Sequence, residues 1–233
     1  MKFITLPDEK IRPLSFYLAM EEYVARQPDV ADCFFMWQVE PTVIIGRNQQ
    51  LENEVNLDYC RQHGIQVFRR KSGGGCVYAD SGNVMLSYIT PDTQVGPVFN
   101  RFMGMILLVL RRLGVTATAT SHNDVLIDGR KVSGTAFYHL PTASIVHGTL
   151  LYDTNMQHML NAITPGTEKL QAKGIQSVRQ RITLLKDYIP QTIDEMKAVI
   201  RETLCEGEWQ LTDNDVERIR YNAFAITHSL IDN

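Results

Sequence analysis

The stretch IQVFRRKSGGGCVYADSGNVMLSYI, residues 65–89, sets a glycine loop between segments that favour β-strands. Its flanks, 65–70 and 83–89, are rich in β-branched and aromatic side chains, as strands are. Three consecutive glycines cost backbone entropy, but they let the chain expose amide N–H groups to a closely held ligand. No GxxxxGK[ST] loop is present, and no helix follows the glycines as a dinucleotide fingerprint requires. Two readings stay open: a plain strand connection, or a nest for an anion in another fold.

A second segment, HNDVLIDGRKVSGTA (122–136), predicts a hairpin, because Asp-Gly at 128–129 is a strong two-residue turn signal. The simplest register pairs Asp124 with Ser133 and puts Lys131 on the same face, since cross-strand partners share a face. A carboxylate, an ammonium and a hydroxyl on one face suit a site for a metal and a nucleotide. The alternative is a solvated hairpin face with an incidental ion pair.

The rest of the chain alternates strand and helix signals in irregular order. A helix is expected over 13–26, opened by Pro13, and a longer one carries the apolar stripe from Phe99 to Leu113. Thr192 and Glu195 have the spacing of a capping box. These signals predict an α+β fold with a mixed β-sheet and packed helices. We expect one catalytic domain over 1–190 and a C-terminal helical segment of the same domain over 191–233.

Composition excludes several classes of protein. The 233 residues carry a net charge of −3, with 44% hydrophobic and 21% charged residues, which is ordinary for a globular protein. No basic stripe indicates nucleic acid, and no apolar run is long enough to span a bilayer. The four cysteines form no CxxC pair, so a zinc site is not expected and the thiols should be reduced. A signal or transit peptide pattern is lacking, which predicts a cytoplasmic protein.

Taken together, several motifs in order resemble the lipoate–protein ligase A family, the biotin/lipoate protein ligase catalytic domain. RRKSGGGCVY (69–78) with the following Gly-Asn at 82–83 resembles the family's lipoate-binding loop, and SHNDVLIDGRKVSGTA (121–136) resembles its catalytic-lysine segment. Four further segments match in order: YLAMEEYV (17–24), MWQVEPTVIIGRNQ (36–49), VHGTLL (146–151) and KLQAKGIQSVRQRI (169–182). The resemblance runs from about residue 10 to about residue 225 and predicts a fold of that class.

The resemblance implies an AMP-forming ligase. ATP with Mg²⁺ would activate lipoate, or octanoate, as the acyl-adenylate, and a specific lysine of an apo lipoyl domain would receive the acyl group. The family's usual acceptors are E2 subunits of 2-oxoacid dehydrogenases and the glycine-cleavage H protein. A nucleic acid or a membrane is not expected as a partner.

The resemblance also assigns residues. Lys131 is expected to contact both lipoate and ATP and to be the central electrostatic catalyst, with Asp124 as the metal ligand and His147 either near the pocket or a structural core histidine. The segment 173–179 should fold over the adenylate. The residues expected to bind ATP or the lipoyl-adenylate are Arg70, Ser72, Gly73, Gly74, Gly75, Cys76, Val77, Tyr78, Asn83, Asn123, Lys131, Ser133, Gly134, His147, Lys173 and Gly174.

Three departures from the family pattern leave alternatives open. Cys76 stands where alanine is usual, Ala79 replaces a histidine before Asp80, and the chain ends near Asn233, so the accessory C-terminal domain of many bacterial ligases is expected to be absent. Transfer to the acceptor lysine could then need a partner. The rivals are an octanoyl- or lipoyl-transferase of the same fold, which passes the acyl group through a cysteine, and a non-catalytic lipoyl-domain-binding protein.

Overall fold

A computed structural model describes residues 1–121, 123–163 and 181–229, the last five of these by their backbone alone. The helices in these ranges are α1 (Leu14–Ala25), α2 (Leu51–Glu54), α3 (Leu57–Gln62), α4 (Val95–Arg112), α5 (Met156–Ala162), α6 (Ile193–Leu204) and α7 (Asp213–Ser229). The strands are β1 (Lys2–Thr5), β2 (Cys33–Trp37), β3 (Thr42–Ile45), β4 (Gln66–Arg69), β5 (Val77–Ala79), β6 (Asn83–Thr90), β7 (Thr118–Ala119), β8 (Asp124–Ile127), β9 (Arg130–Leu140), β10 (Ala143–Leu151) and β11 (Gly207–Gln210). A single 3₁₀ turn spans Leu185–Asp187.

The strands form two sheets rather than the one that the sequence predicts. The large sheet has eight strands in the order β11-β1-β2-β6-β10-β9-β8-β7, and the small sheet has the order β4-β3-β5. Strand β1 runs parallel to β11 and to β2, while the other pairs of the large sheet are antiparallel. In the small sheet β3 is parallel to β4 and antiparallel to β5. The α+β class with mixed sheets is therefore confirmed.

Helices cover both faces of the large sheet. Alternate residues of β2 point to opposite faces, as the two-residue period of a strand requires. Phe35 joins the core beneath α1 and α7, whereas its neighbour Phe34 joins the core beneath α4 and α6. A third apolar cluster, which includes Val43 and Tyr78, lies between the small sheet and the helices α3 and α5. The middle strand β10 is consequently buried along its whole length.

Local signals in the sequence form the elements they predict. The Asn56 side chain accepts a hydrogen bond from the Tyr59 amide at 3.0 Å and caps α3. Thr192 and Glu195 make both hydrogen bonds of the capping box at the start of α6. Asp128 and Gly129 both have positive φ, 49° and 73°, which is what a tight turn between twisted strands requires.

The C-terminal part contains more than helices. Between α6 and α7 the chain returns to the large sheet, where β11 pairs residue by residue with β1, from Lys2 opposite Gly207 to Thr5 opposite Gln210. Helix α7 then packs through Val216 and Ile219 into the core beneath α1. In the described part of the chain, no helix combines the length and apolar character needed to cross a bilayer.

Candidate active site

A cleft of about 610 Å³, open to solvent, lies between α1, the small sheet and strands β9 and β10. Its walls include six apolar side chains: Leu14, Leu18, Trp37, Ile44, Val77 and Met85. They also include six polar side chains: Arg70, Asn123, Lys131, Thr135, His147 and Thr149. The cleft can therefore hold a ligand with an apolar body and an anionic head.

The glycine loop connects β4 and β5 and forms one wall of the cleft through Gly74, Gly75 and Cys76. Gly74 has a φ of 92°, a conformation that L side chains rarely adopt. A Cβ atom on Gly46 would lie only 2.1 Å from the Gly74 carbonyl oxygen, so the loop after β3 presses directly on the glycine loop. Glycine is thus needed at both positions, for different reasons.

Arg70 lies inside the loop that it precedes. Its guanidinium donates to the carbonyl oxygens of Gly73 (2.7 and 3.2 Å), Gly75 (2.8 Å) and Ile44 (3.1 Å). The side chain is buried, and burial lowers the pKa of Arg70 from its usual value. The Arg70 guanidinium is therefore a buried cation that backbone carbonyls of the glycine loop and of β3 hold in place.

The hairpin register differs from the expected one by a bulge. Leu126 pairs with Lys131, as expected, but Val125 pairs with Ser133 and Asp124 with Gly134, so Val132 is an extra residue in β9. The expected pairing of Asp124 with Ser133 is therefore wrong. A one-residue insertion changes which side chains share a face, and sequence spacing alone cannot reveal it.

Despite the bulge, the two charged groups that were expected on one face of the hairpin form an ion pair. Lys131 Nζ lies 2.7 Å from Asp124 Oδ1, and both side chains are about one-third exposed, at 37% and 30%. The backbone of Lys131 is held as well, because its carbonyl accepts from the Thr183 amide at 2.9 Å. Lys131 lines the cleft, whereas Asp124 is not among the lining residues and is linked to the cleft by this ion pair.

Gly134 makes room for the head of Lys131. A Cβ atom there would lie 3.0 Å from both Cε and Nζ of that lysine. With the role that the family resemblance implies for Lys131, we expect Gly134→Ala to displace the ammonium by a few tenths of an ångström and to lower the rate of adenylate formation by about tenfold, because small misplacements of a catalytic group are costly. Single-turnover kinetics would measure this. Gly104→Ala, with open space around its Cβ, is the matched control; a normal rate in Gly134→Ala would contradict the expectation.

A buried polar network that the sequence does not predict lies behind the cleft. Glu21, on the buried face of α1, approaches His147 Nδ1 at 3.1 Å and accepts from Ser87 Oγ at 2.6 Å. His147 Nε2 lies 2.9 Å from Ser72 Oγ at the start of the glycine loop, and Trp37 Nε1 donates to Ser87 Oγ at 2.8 Å. A neutral imidazole that donates to Glu21 accepts from Ser72. The sequence offers one signal for this network, which is the glutamate at position 21 within the apolar face of the first helix.

The structure brings together most of the residues that the sequence assigns to the site. Those that line the cleft are Arg70, Gly74, Gly75, Cys76, Val77, Asn123, Lys131, Gly134 and His147. His147 is both a buried residue and a cleft residue, which joins the two alternatives considered for it. Lys173 and Gly174, with the whole segment 173–179, lie outside the described residues.

Other assigned residues lie beside the cleft rather than in its walls. Tyr78 packs in the cluster of the small sheet, and Asn83 Oδ1 accepts from the Asp80 amide at 3.0 Å in the β5–β6 turn. Ser133 is fully buried, and its hydroxyl has no hydrogen-bond partner among the described residues. None of these three side chains is among those that line the cleft.

Cys76 borders the cleft as a free thiol. Burial raises its pKa to about 12, with a smaller contribution from the Glu54 carboxylate. A thiol with such a pKa is almost entirely protonated near neutral pH and is a poor nucleophile.

Comparison with known proteins agrees with this geometry. The model of the lipoyl protein ligase A/B catalytic domain matches residues 13–205. Lipoate–protein ligase 1 of Staphylococcus aureus is 36% identical over 227 residues, which cover 94% of this chain and 69% of that protein. The lipoate-protein ligase LplJ of Bacillus subtilis is 32% identical over 225 residues, or 92% of this chain and 68% of that protein.

Among solved structures, the bi-partite lipoate protein ligase of Thermoplasma acidophilum superimposes with a TM-score of 0.86 at 28% identity, over 96% of this chain and 92% of that one. The T. acidophilum protein Ta0514 with bound lipoic acid gives a TM-score of 0.81 at 25% identity, over 97% of this chain and 95% of that one. The enzyme class that the sequence predicts, a lipoate–protein ligase, is confirmed, and the chain belongs to the lipoyl protein ligase A/B catalytic domain family.

Proposed function

We propose that the cleft binds lipoate, or octanoate, together with ATP, forms the acyl-adenylate and passes the acyl group to a lysine of an apo lipoyl domain. One observation carries the proposal: Lys131 and the glycine loop line the same cleft, whose walls also carry six apolar side chains. Lipoate and octanoate both combine an apolar chain with a carboxylate. Apolar walls discriminate weakly between such chains, so we expect both acids to be accepted.

Adenylate formation needs a cation and hydrogen-bond donors close to the reacting phosphate. A free carboxylate resists attack by an amine, so the acid oxygen first attacks the α-phosphorus of ATP and pyrophosphate leaves. The product is a mixed anhydride of the acid and AMP. The acceptor amine then attacks the acyl carbonyl, loses a proton and releases AMP. Charge accumulates on phosphate oxygens in the first step, and we assign its stabilisation to Lys131 and the amides of the glycine loop.

In this proposal Asp124 is the protein ligand of the magnesium ion. The described residues contain no group of three or more possible metal ligands, and Asp124 is the carboxylate paired with Lys131. That donor set fits Mg²⁺, which proteins often hold by one or two carboxylates while substrate phosphates and water complete the shell. The ion would offset phosphate charge when bound. We expect Asp124→Asn to raise the Mg²⁺ concentration needed for half-maximal pyrophosphate release.

For the acceptor, we propose lipoyl domains of E2 subunits and the glycine-cleavage H protein. The solved T. acidophilum ligase was described together with its E2 lipoyl domain, which supports this class of partner. That ligase is also called bi-partite. We therefore propose that residues 1–190 and 191–233 form one adenylating unit and that a separate accessory chain assists transfer. The free cysteines suit a reducing compartment, and we propose the cytoplasm.

The state of Cys76 favours a ligase over a transferase. A transferase of this fold would carry the acyl group on a cysteine, which must be available as a thiolate. The pKa of Cys76, about 12, keeps its thiol protonated near neutral pH. The other described cysteines, Cys33, Cys60 and Cys205, do not line the cleft.

One assay separates the candidate functions. The purified chain is mixed with lipoate, Mg²⁺, ATP and an apo lipoyl domain, and both pyrophosphate and the mass of the acceptor are followed. We expect pyrophosphate release without any acyl-carrier donor. A transferase would modify the acceptor only when octanoyl-carrier protein is supplied, and a binding protein would do neither. Pyrophosphate release without acceptor modification would assign the transfer step to a further chain.

A further inference from the structure

We propose that Arg70 serves the reaction as a positioning residue, by aiming the amides of the glycine loop at the ligand, and that it does not bind the phosphate itself. This inference rests on the proposed adenylation, and it changes the role expected from the sequence, which was direct contact with ATP. Arg70 would then act through the loop, while the loop amides of Gly74 and Cys76 hold the phosphate oxygens.

Most of the N–H donors of Arg70 are already used within the protein. A guanidinium has five N–H groups in a fixed plane. Four hydrogen bonds leave the Arg70 side chain, from Nε, Nη1 and Nη2, and all end on backbone carbonyls. The side chain is only 6% exposed. Only one N–H, on Nη1, is left, so a phosphate oxygen could make a two-bond contact with the guanidinium only by displacing a carbonyl.

The hydrogen bonds of Arg70 fix the direction of two peptide groups in the glycine loop. In a trans peptide the C=O and the following N–H point in opposite directions, and the described residues contain no cis peptide bond. Arg70 draws the carbonyls of Gly73 and Gly75 toward itself. The amides of Gly74 and Cys76 must therefore point away from the guanidinium.

These amides have no acceptor among the residues that the structure describes. The backbone N–H groups of residues 73–76 donate to no group within the described ranges of the chain. Gly74, Gly75 and Cys76 all border the cleft. Successive unpaired amides around a concave loop form a nest for an anion, and a buried cation behind them adds to the positive potential.

The loop is supported from a second side. The Gly74 carbonyl rests on Gly46, where no Cβ atom fits. Arg69 fixes the residues after β3 by donating to the carbonyls of Gly46 (3.1 Å), Arg47 (3.2 Å) and Gln49 (2.7 Å). The two adjacent arginines thus hold two facing loops, and altering either loop should move the amides of the nest.

The test measures ATP binding by titration calorimetry with Mg²⁺ and without lipoate, so that no turnover occurs. Gly46→Ala leaves every charge in place but pushes on the Gly74 carbonyl. Arg70→Lys keeps the charge but cannot make four bonds to carbonyls. We expect each variant to raise the Kd for ATP by about tenfold or more, and we expect the double variant to resemble the worse single variant, because both changes act on the same loop.

Direct phosphate binding by Arg70 predicts another result. Gly46→Ala would then leave the Kd within about twofold, or the two effects would multiply in the double variant; either outcome overturns the proposal. Gly104→Ala is the control for an added methyl group. Thermal unfolding midpoints are measured in parallel to show that each variant is folded at the temperature of the titration. Loss of stability alone does not change the Kd of the folded protein.

If Gly46→Ala does not fold, Arg69→Lys replaces it, because this variant loosens the same loop without a clash. It should weaken ATP binding in the same way, and an unchanged Kd would overturn the proposal. If the wild-type chain binds ATP and releases pyrophosphate but the variants do not behave as expected, only the proposed role of Arg70 is refuted. A wild-type chain that does not bind ATP removes the proposed function and this inference together.

Discussion

Replacing Lys131 with alanine should reduce lipoyl-adenylate formation by about a hundred- to a thousandfold. Removal of one preorganised electrostatic contact to a developing charge typically costs about 3–4 kcal/mol in the transition state. Lys131 qualifies because its ammonium borders the cleft and lies 2.7 Å from Asp124, in a position fixed by the β9 backbone. The measurement is pyrophosphate release in single-turnover reactions with lipoate and ATP.

The matched control is another lysine that pairs with an aspartate. Lys186 forms an ion pair with Asp153 away from the cleft, so Lys186→Ala removes the same charge without touching the site. We expect its adenylation rate to stay within about twofold of wild type, because exposed ion pairs contribute little. Near-normal adenylate formation by Lys131→Ala would refute the catalytic assignment.

The largest effect on stability is expected for Phe102→Ala. Phe102 is fully buried in α4, beneath the large sheet, and its ring would lie 3.2 Å from a Cβ atom on Gly148 of β10. Truncation of a buried phenylalanine leaves a cavity and typically costs about 3–5 kcal/mol. That is a large part of the stability of most domains. Equilibrium unfolding in urea would measure the loss.

Leu108→Ala on the same helix gives the comparison. Leu108 is 49% exposed, so its truncation should cost about 1 kcal/mol or less. A loss of similar size in both variants would indicate that α4 does not pack as described. Because Gly148 lines the cleft, we also expect Phe102→Ala to weaken lipoate binding modestly.

Features that depend on neighbouring residues were predictable from the sequence. The caps of α3 and α6, the turn at residues 128–129 and the strands around the glycine loop each follow from a short local pattern. The meeting of Lys131 with the glycine loop was predictable only through the family resemblance. Spacing along the chain cannot bring residues 74 and 131 to the same cleft.

Features that depend on distant partners were not predictable. Strand β11 is four residues long, and its pairing with β1 joins segments about two hundred residues apart in sequence. The bulge at Val132 changes the register without any glycine or proline to mark it. The bonds of Arg70 to three carbonyls could not be foreseen either, because a charged residue beside glycines suggests a ligand contact more readily than internal support.

The pairing of β11 with β1 limits where the chain of this enzyme can be truncated. The region shared with the family model stops at residue 205, just before β11. A fragment ending there would leave the edge of β1 without its parallel neighbour and would uncover the side of α1 that Val216 and Ile219 now shield. That same helix holds Glu21 behind the cleft. The end of the family-model match is thus not the end of the folded unit. A shortened chain would expose a strand edge that can pair with another chain, and it would loosen a helix that supports the active site.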